Sequence, residues 1–211
     1  MSCKNAFTLT EFGSTIVIIG IISVMTIPNL IQNAEKQKNI ALLKKAYLTF
    51  NDVTDTITEE EGRPYKWLID SDNFYEHYKK HLVNTEECDF ETNCTEQSYK
   101  SLNGYNSFKW GNLTNGKLLK LPDGIHASFI YRSNECDWYS DGSNGVCGQI
   151  NVDLNGSKGP NQTGRDYFQF VLKKDGLYPA GCDYNACDAD VDTDTGLGCA
   201  CRVVKENDIK Y

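Results

Sequence analysis

Residues 13–31, GSTIVIIGIISVMTIPNLI, run for nineteen positions without a charged side chain. At ~1.5 Å per residue, a helix of that length nearly covers the ~30 Å hydrocarbon core of a bilayer, so the segment can span a membrane. Between Phe7 and Ile31 the only ionisable side chain is Glu11. A central carboxylate costs ~2.5–3.5 kcal/mol on insertion scales. A secretory signal peptide is one alternative, since Lys4 supplies a positive flank. Against it, Glu11 would fall inside the apolar region, the run is long, and no small-x-small cleavage site follows in VMTIPNLIQ. An ordinary uncleaved anchor is the other alternative, but it gains nothing from Glu11. A partner has to offset that charge.

The stretch AFTLTE, followed by this run and by Pro28 twenty-one residues after Phe7, resembles the N-terminus of type IV pilins and type II secretion pseudopilins. The resemblance covers residues 1–60. It implies that residues 1–6 are a leader, cut between Ala6 and Phe7 by a prepilin peptidase, and that Phe7 is then N-methylated. The family usually carries Gly before the cut, where this chain has Ala6, which is small enough for the same site. The resemblance further implies a transmembrane and assembly helix over 7–31. In a filament, Glu11 of one subunit would meet the Phe7 amine of its neighbour, so that an out-of-register subunit leaves a charge unpaired. The implied partners are prepilin peptidase, other pilin or pseudopilin subunits, an inner-membrane assembly platform and membrane lipid. The implied location is the bacterial inner membrane, single-pass, with the globular domain extracytoplasmic and the protein assembled into a pilus or pseudopilus.

After Pro28 the pattern becomes amphipathic. Ile40, Leu43, Tyr47, Phe50 and Ile57 recur at helical steps among lysines, which predicts that residues 32–60 continue the helix and pack one face on a domain formed by 61–211. Gly62 and Pro64 end it. Pro28 removes a backbone hydrogen bond, suggests a kink or a locally meltable segment, and is an assembly candidate with Glu11. Residues 70–82 predict a short helix on whose exposed face His77 and His81 would lie. LLKLPDGIHASFIYR reads as strand, turn, strand; GVCGQINVDLNG and DYFQFVLKKDGL supply two more. The expected fold class is α+β: a long N-terminal α-helix on a small antiparallel β-sheet, a pilin-like roll with disulfide-rich C-terminal loops.

D-x-N-G-x-K-G-P-N followed by G-R-D-x-F, in residues 150–172, is similar to a segment of bacterial pilin-like proteins. Asp153, Asn155 and Asp166 there are either hard oxygen ligands for a calcium ion or Asx-turn acceptors, the second being the reading preferred. Asp188, Asp190, Asp192 and Asp194 alternate like a calcium loop but lack the turn glycine and the bidentate Glu, so a solvated acidic loop is preferred. Beyond calcium no cofactor is expected. Removing residues 1–6 leaves eight cysteines, Cys88, Cys94, Cys136, Cys147, Cys182, Cys187, Cys199 and Cys201, an even number that suits a disulfide framework. Proximity suggests Cys88 with Cys94, Cys136 with Cys147, and Cys199 and Cys201 each reaching back to Cys182 or Cys187. The loops over 181–202 hold almost no large apolar residue, so bridges must hold them. Zinc is disfavoured because paired C-x2-C knuckles are missing.

The formal charge of −8 and the lack of a basic stripe argue against nucleic acid as a partner. No nucleophile elbow, zinc-protease helix or phosphate loop occurs, so no enzyme is expected. Two readings remain: a structural assembly subunit, or a membrane-anchored extracytoplasmic binding module or adhesin using Trp67, Trp110, Trp138 and the many tyrosines.

Overall fold

A computed structural model describes residues 8–70, 72–89, 98–105, 107–108, 117–156, 158–184, 187–190 and 195–210. The chain divides into two units, residues 1–38 and 39–211. One helix, α1 (Leu9–Glu61), supplies every described residue of the first unit after Thr8 and the first element of the second.

In the first unit every large apolar side chain from Leu9 to Ile31 is at least half exposed. This is the one helix among the described residues long and apolar enough to cross a membrane. It stays helical through Pro28.

In the second unit the same helix acquires a buried stripe. Ile40, Leu43, Ala46, Phe50, Val53 and Ile57 are all under 9 % exposed. Their steps of three and four place them on one face, and each large side chain fully buried is worth ~1.5–3 kcal/mol. Tyr47, expected on that face, is half-buried and donates its hydroxyl to the Leu177 carbonyl at 3.2 Å. Gly62 stops the helix: its φ of +87° belongs to the left-handed region, and its N–H caps the Thr58 carbonyl at 3.0 Å.

The stripe packs on an antiparallel sheet. Its strands are β1 (Glu86–Asp89), β4 (Lys117–Lys120), β5 (His126–Tyr131), β6 (Trp138–Ser140), β7 (Ser143–Asp153), β8 (Tyr167–Lys173) and β9 (Gly176–Pro179). The order is β1-β4-β5-β7-β8-β9, with β6 also pairing β7. A separate pair joins β2 (Tyr99–Lys100) to β3 (Ser107–Phe108). The four expected strands are β4, β5, β7 and β8; β1, β6 and β9 extend the sheet beyond that expectation. Helix α2 (Asn73–Lys79) answers to the predicted short helix, with Asp70 accepting the N–H groups of Asp72 and Asn73 at 2.8 Å. Phe74 and Tyr78 of α2 and Phe50 of α1 surround Phe129 of β5, with ring centroids 5.2–6.1 Å away. His77 and His81 do not lie on an exposed face. Both are partly covered and turned to the end of α1, where His77 reaches Glu61 at 3.1 Å and stacks on buried Trp67.

The face of the sheet opposite the apolar core is polar and still buried. Ser128, Asn151 and Gln169 stand in register across β5, β7 and β8, each at 2 % exposure or less. Gln169 donates to Asn151 at 2.9 Å, Gln149 donates to Gln169 at 3.2 Å and to Ser140, and Arg132 donates its Nε to Gln149 at 2.7 Å. A buried amide costs free energy unless it is bonded, and this chain of bonds meets that cost for most of the row.

The expectation of loops through residue 202 is corrected at its end. Cys199–Glu206 form a helix, α3, packed against β8 and β9 and closed by Asn207 in the left-handed region (φ +56°). Its buried face consists of Cys199, Ala200, Cys201 and Val203, residues too small to announce a helix by periodicity.

Candidate functional site

Two places gather the polar residues singled out from the sequence most closely: the start of α1 and the loop between β7 and β8. At the first, Glu11 closes a capping box. The Thr8 N–H and hydroxyl donate to Glu11 Oε2 at 2.9 and 2.8 Å, and the Glu11 N–H donates to Thr8 Oγ1 at 3.2 Å. Two helix-end donors are thereby satisfied by one residue pair. Thr8 was not singled out from the sequence, although T-x-x-E ahead of an apolar run is the signature of this motif. Oε1 of Glu11 has no bond within the chain among the described residues. Ser14, Thr15, Ser23 and Thr26 return their hydroxyls to carbonyls three or four residues back, so the apolar stretch presents few unmet donors. Pro28 sits within the same helix. Ala6 and Phe7 lie outside the described residues.

At the second place Asp153, Asn155 and Asp166 come together as the sequence suggested. Asp166 accepts the N–H groups of Asn161 and Gln162 at 2.8 and 2.7 Å and the Asn155 amide at 3.3 Å. Asp153 accepts the Asn155 N–H at 3.1 Å and the Tyr99 hydroxyl. Both carboxylates are fully buried. Of these bonds the Asn155 N–H on Asp153 has the spacing of an Asx-turn, and the others knit the loop to β2 and to its own backbone over longer separations. Burial raises the Asp153 carboxyl to about 7, against the pull of the Tyr99 and Asn155 donors, and Asp166 nearby adds to the rise. Burial also raises Asp166, opposed by the amides of Gln162 and Asn161. In the acidic loop Asp188 and Asp190 are exposed, and the Asp190 N–H donates to Asp188 at 2.9 Å; Asp192 and Asp194 lie outside the described residues. Among the described residues no three His, Cys, Asp or Glu side chains group as a metal site.

Among the described residues three bridges form: Cys136–Cys147, Cys182–Cys201 and Cys187–Cys199. They agree with the pairings that proximity suggested. The suggested fourth, between Cys88 and Cys94, lies outside the described side chains. Around them Gly181 (φ +86°) passes so close to Gly198 that a Cβ would sit 1.9 Å from its carbonyl oxygen, so only glycine lets this loop meet the start of α3. Of the three tryptophans, Trp67 is 5 % exposed and Trp138 is 49 % exposed; Trp110 lies outside the described residues. Comparison of the chain with protein-family profiles, with curated proteins and with solved structures finds no match.

Proposed function

We propose that the chain is a structural subunit, a type IV pilin-like or pseudopilin protein, assembled through the apolar half of α1 into a pilus or a secretion-type pseudopilus. The observation that carries this reading is one helix with two solvents: 9–31 apolar, exposed and holding the single carboxylate Glu11, 40–57 buried on a sheet. On this reading prepilin peptidase cuts between Ala6 and Phe7, Phe7 is methylated, and the sheet with its cysteine-clipped cap is the pilin-like roll displayed outside the inner membrane. The three bridges support an oxidising compartment for the globule. Glu11 then has a role in both states. In the lone subunit Thr8 occupies one of its oxygens, and in the filament the other is open to a neighbour's terminal amine. No catalytic step belongs to this reading.

Filaments sheared from cells without detergent, resolved from membranes and probed for the chain, test it. Recovery in the sheared fraction with a mature terminus at methylated Phe7 is the expected result. Protein confined to membranes, with a terminus at Met1 or beyond residue 20, overturns it. That outcome would favour the tethered binding module, for which exposed Trp138 and the neighbouring pair Tyr139 and Tyr184, 6.5 Å apart, are the described aromatic surface.

A further inference from the structure

The three bridges differ in what can reach them. In Cys136–Cys147 and Cys187–Cys199 every cysteine is at 3 % exposure or less. In Cys182–Cys201 the Cys201 side is 3 % exposed, but Cys182 is only half-buried, and both line an open dent of about 410 Å³ beside Asp183, Arg202, Lys205 and Glu206. Cys182 is therefore the more accessible cysteine of this bridge, which makes Cys201 the leaving side for a nucleophile from solvent.

The surroundings favour that direction. Cys201 is in the first turn of α3, where the helix end carries partial positive charge, and Arg202 and Lys205 line the same dent. These features place positive charge beside the sulfur that would carry the negative charge once the bond breaks. The dent's charges are also not equally engaged. Asp183 accepts Lys173 at 2.7 Å and the Asn144 N–H at 2.8 Å, while Arg202 donates to Glu206 at 3.2 Å and to the Cys187 carbonyl at 3.0 Å. Lys205 has no ion-pair partner among the described residues, which leaves an ammonium lining the same dent for a carboxylate to bind.

We propose that Cys182–Cys201 is a thiol-exchange site for a small thiol that carries a carboxylate. The incoming thiol gives its proton to solvent and its thiolate attacks Cys182 Sγ. A new S–S bond forms there as the Cys182–Cys201 bond breaks, and the bonding pair leaves on Cys201 Sγ as a thiolate. One thiolate is consumed and one is released, so no external oxidant is needed. Cys187–Cys199 still ties the loop to α3 while the mixed disulfide exists. The inference does not depend on assembly into a filament.

The test uses the full chain in detergent, exposed to reduced glutathione for increasing times, quenched with an alkylating agent and mapped by peptide mass spectrometry. Glutathione on Cys182 and the alkyl label on Cys201 are expected first, with the other two bridges intact. Lys205→Gln should slow glutathione by about threefold more than it slows uncharged 2-mercaptoethanol, the size expected of an exposed ion pair. Glutathione on Cys201, earlier opening of Cys136–Cys147 or Cys187–Cys199, a bridge that does not open, or equal slowing of both thiols would each overturn the proposal.

Discussion

Residues 9–31 and the globule from residue 39 onward handle apolar and charged side chains by opposite means. In the globule Phe50 is wholly enclosed by side chains of the same chain, whereas Ile18, on the same helix, is 57 % exposed. The carboxylates differ in the same way. Asp153 is buried under a backbone amide and a tyrosine, while among the described residues the Glu11 carboxylate is met by Thr8, three positions before it. The difference teaches that the globule's stability is complete within one chain, and that the apolar half of α1 requires something outside it.

The largest expected effect breaks that comparison at the helix itself. Phe50→Ala should destabilise the globule by about 3–5 kcal/mol, because it leaves a cavity against Phe129 and Phe170. Ile18→Ala should leave the denaturation midpoint of the full chain in detergent unchanged. Equal effects would mean that the first half of α1 is packed within the chain.

The next concerns Asp153. Its folded pKa lies above the ordinary 3.8, so the stability it confers is full below that value and is lost as pH rises toward about 7. The loss is at most about 4 kcal/mol. Asp153→Asn should therefore compare progressively better with the wild type in chemical denaturation between pH 4 and pH 8. A difference that stays constant across that range would show that Asp153 does not titrate as a buried acid.

Replacing Cys187 and Cys199 together by Ser opens a bridge of sequence separation 12. It should cost about 3 kcal/mol in the chain-entropy picture. Limited proteolysis should then cut first between residues 182 and 201. The smallest effect is on the other side of the comparison: Thr8→Ala removes the capping box and should lower helix stability by about 1 kcal/mol, read as faster hydrogen exchange in the first turn of α1 alone.

Much of this was legible in the residues, and the gaps have physical causes. The stripe of α1 and strands β4, β5, β7 and β8 follow from period and turn chemistry, since Ile40, Leu43, Phe50 and Ile57 sit at helical steps and PDG closes a hairpin. Strand β6, Trp138-Tyr139-Ser140, is three residues long inside a polar cysteine loop and has no pattern of its own. Strand β9 is held by pairing with β8, and GLYP offers a turn as readily as a strand. Helix α3 is held by bridges and by contact with β8 and β9, and its small buried residues give no apolar period. The alternation Gln149, Ile150, Asn151, Val152, Asp153 ordinarily reads as one wet face and one dry face; both are buried here. At the site, the carboxylate at Glu11 and the gathering of Asp153, Asn155 and Asp166 could be read from spacing, whereas the Tyr99 hydroxyl on Asp153 joins residues 54 apart in sequence and could not.

The central claim is that Glu11 selects subunits into an ordered assembly. Wild type and Glu11→Ala, co-expressed with distinguishable tags, should be present equally in membranes, since the substitution removes a cost of insertion and touches nothing in the globule. The decisive number is the ratio of the two in sheared filaments. Strong depletion of the alanine form there, with equal membrane levels, is the outcome this account requires; a filament ratio equal to the membrane ratio would contradict it.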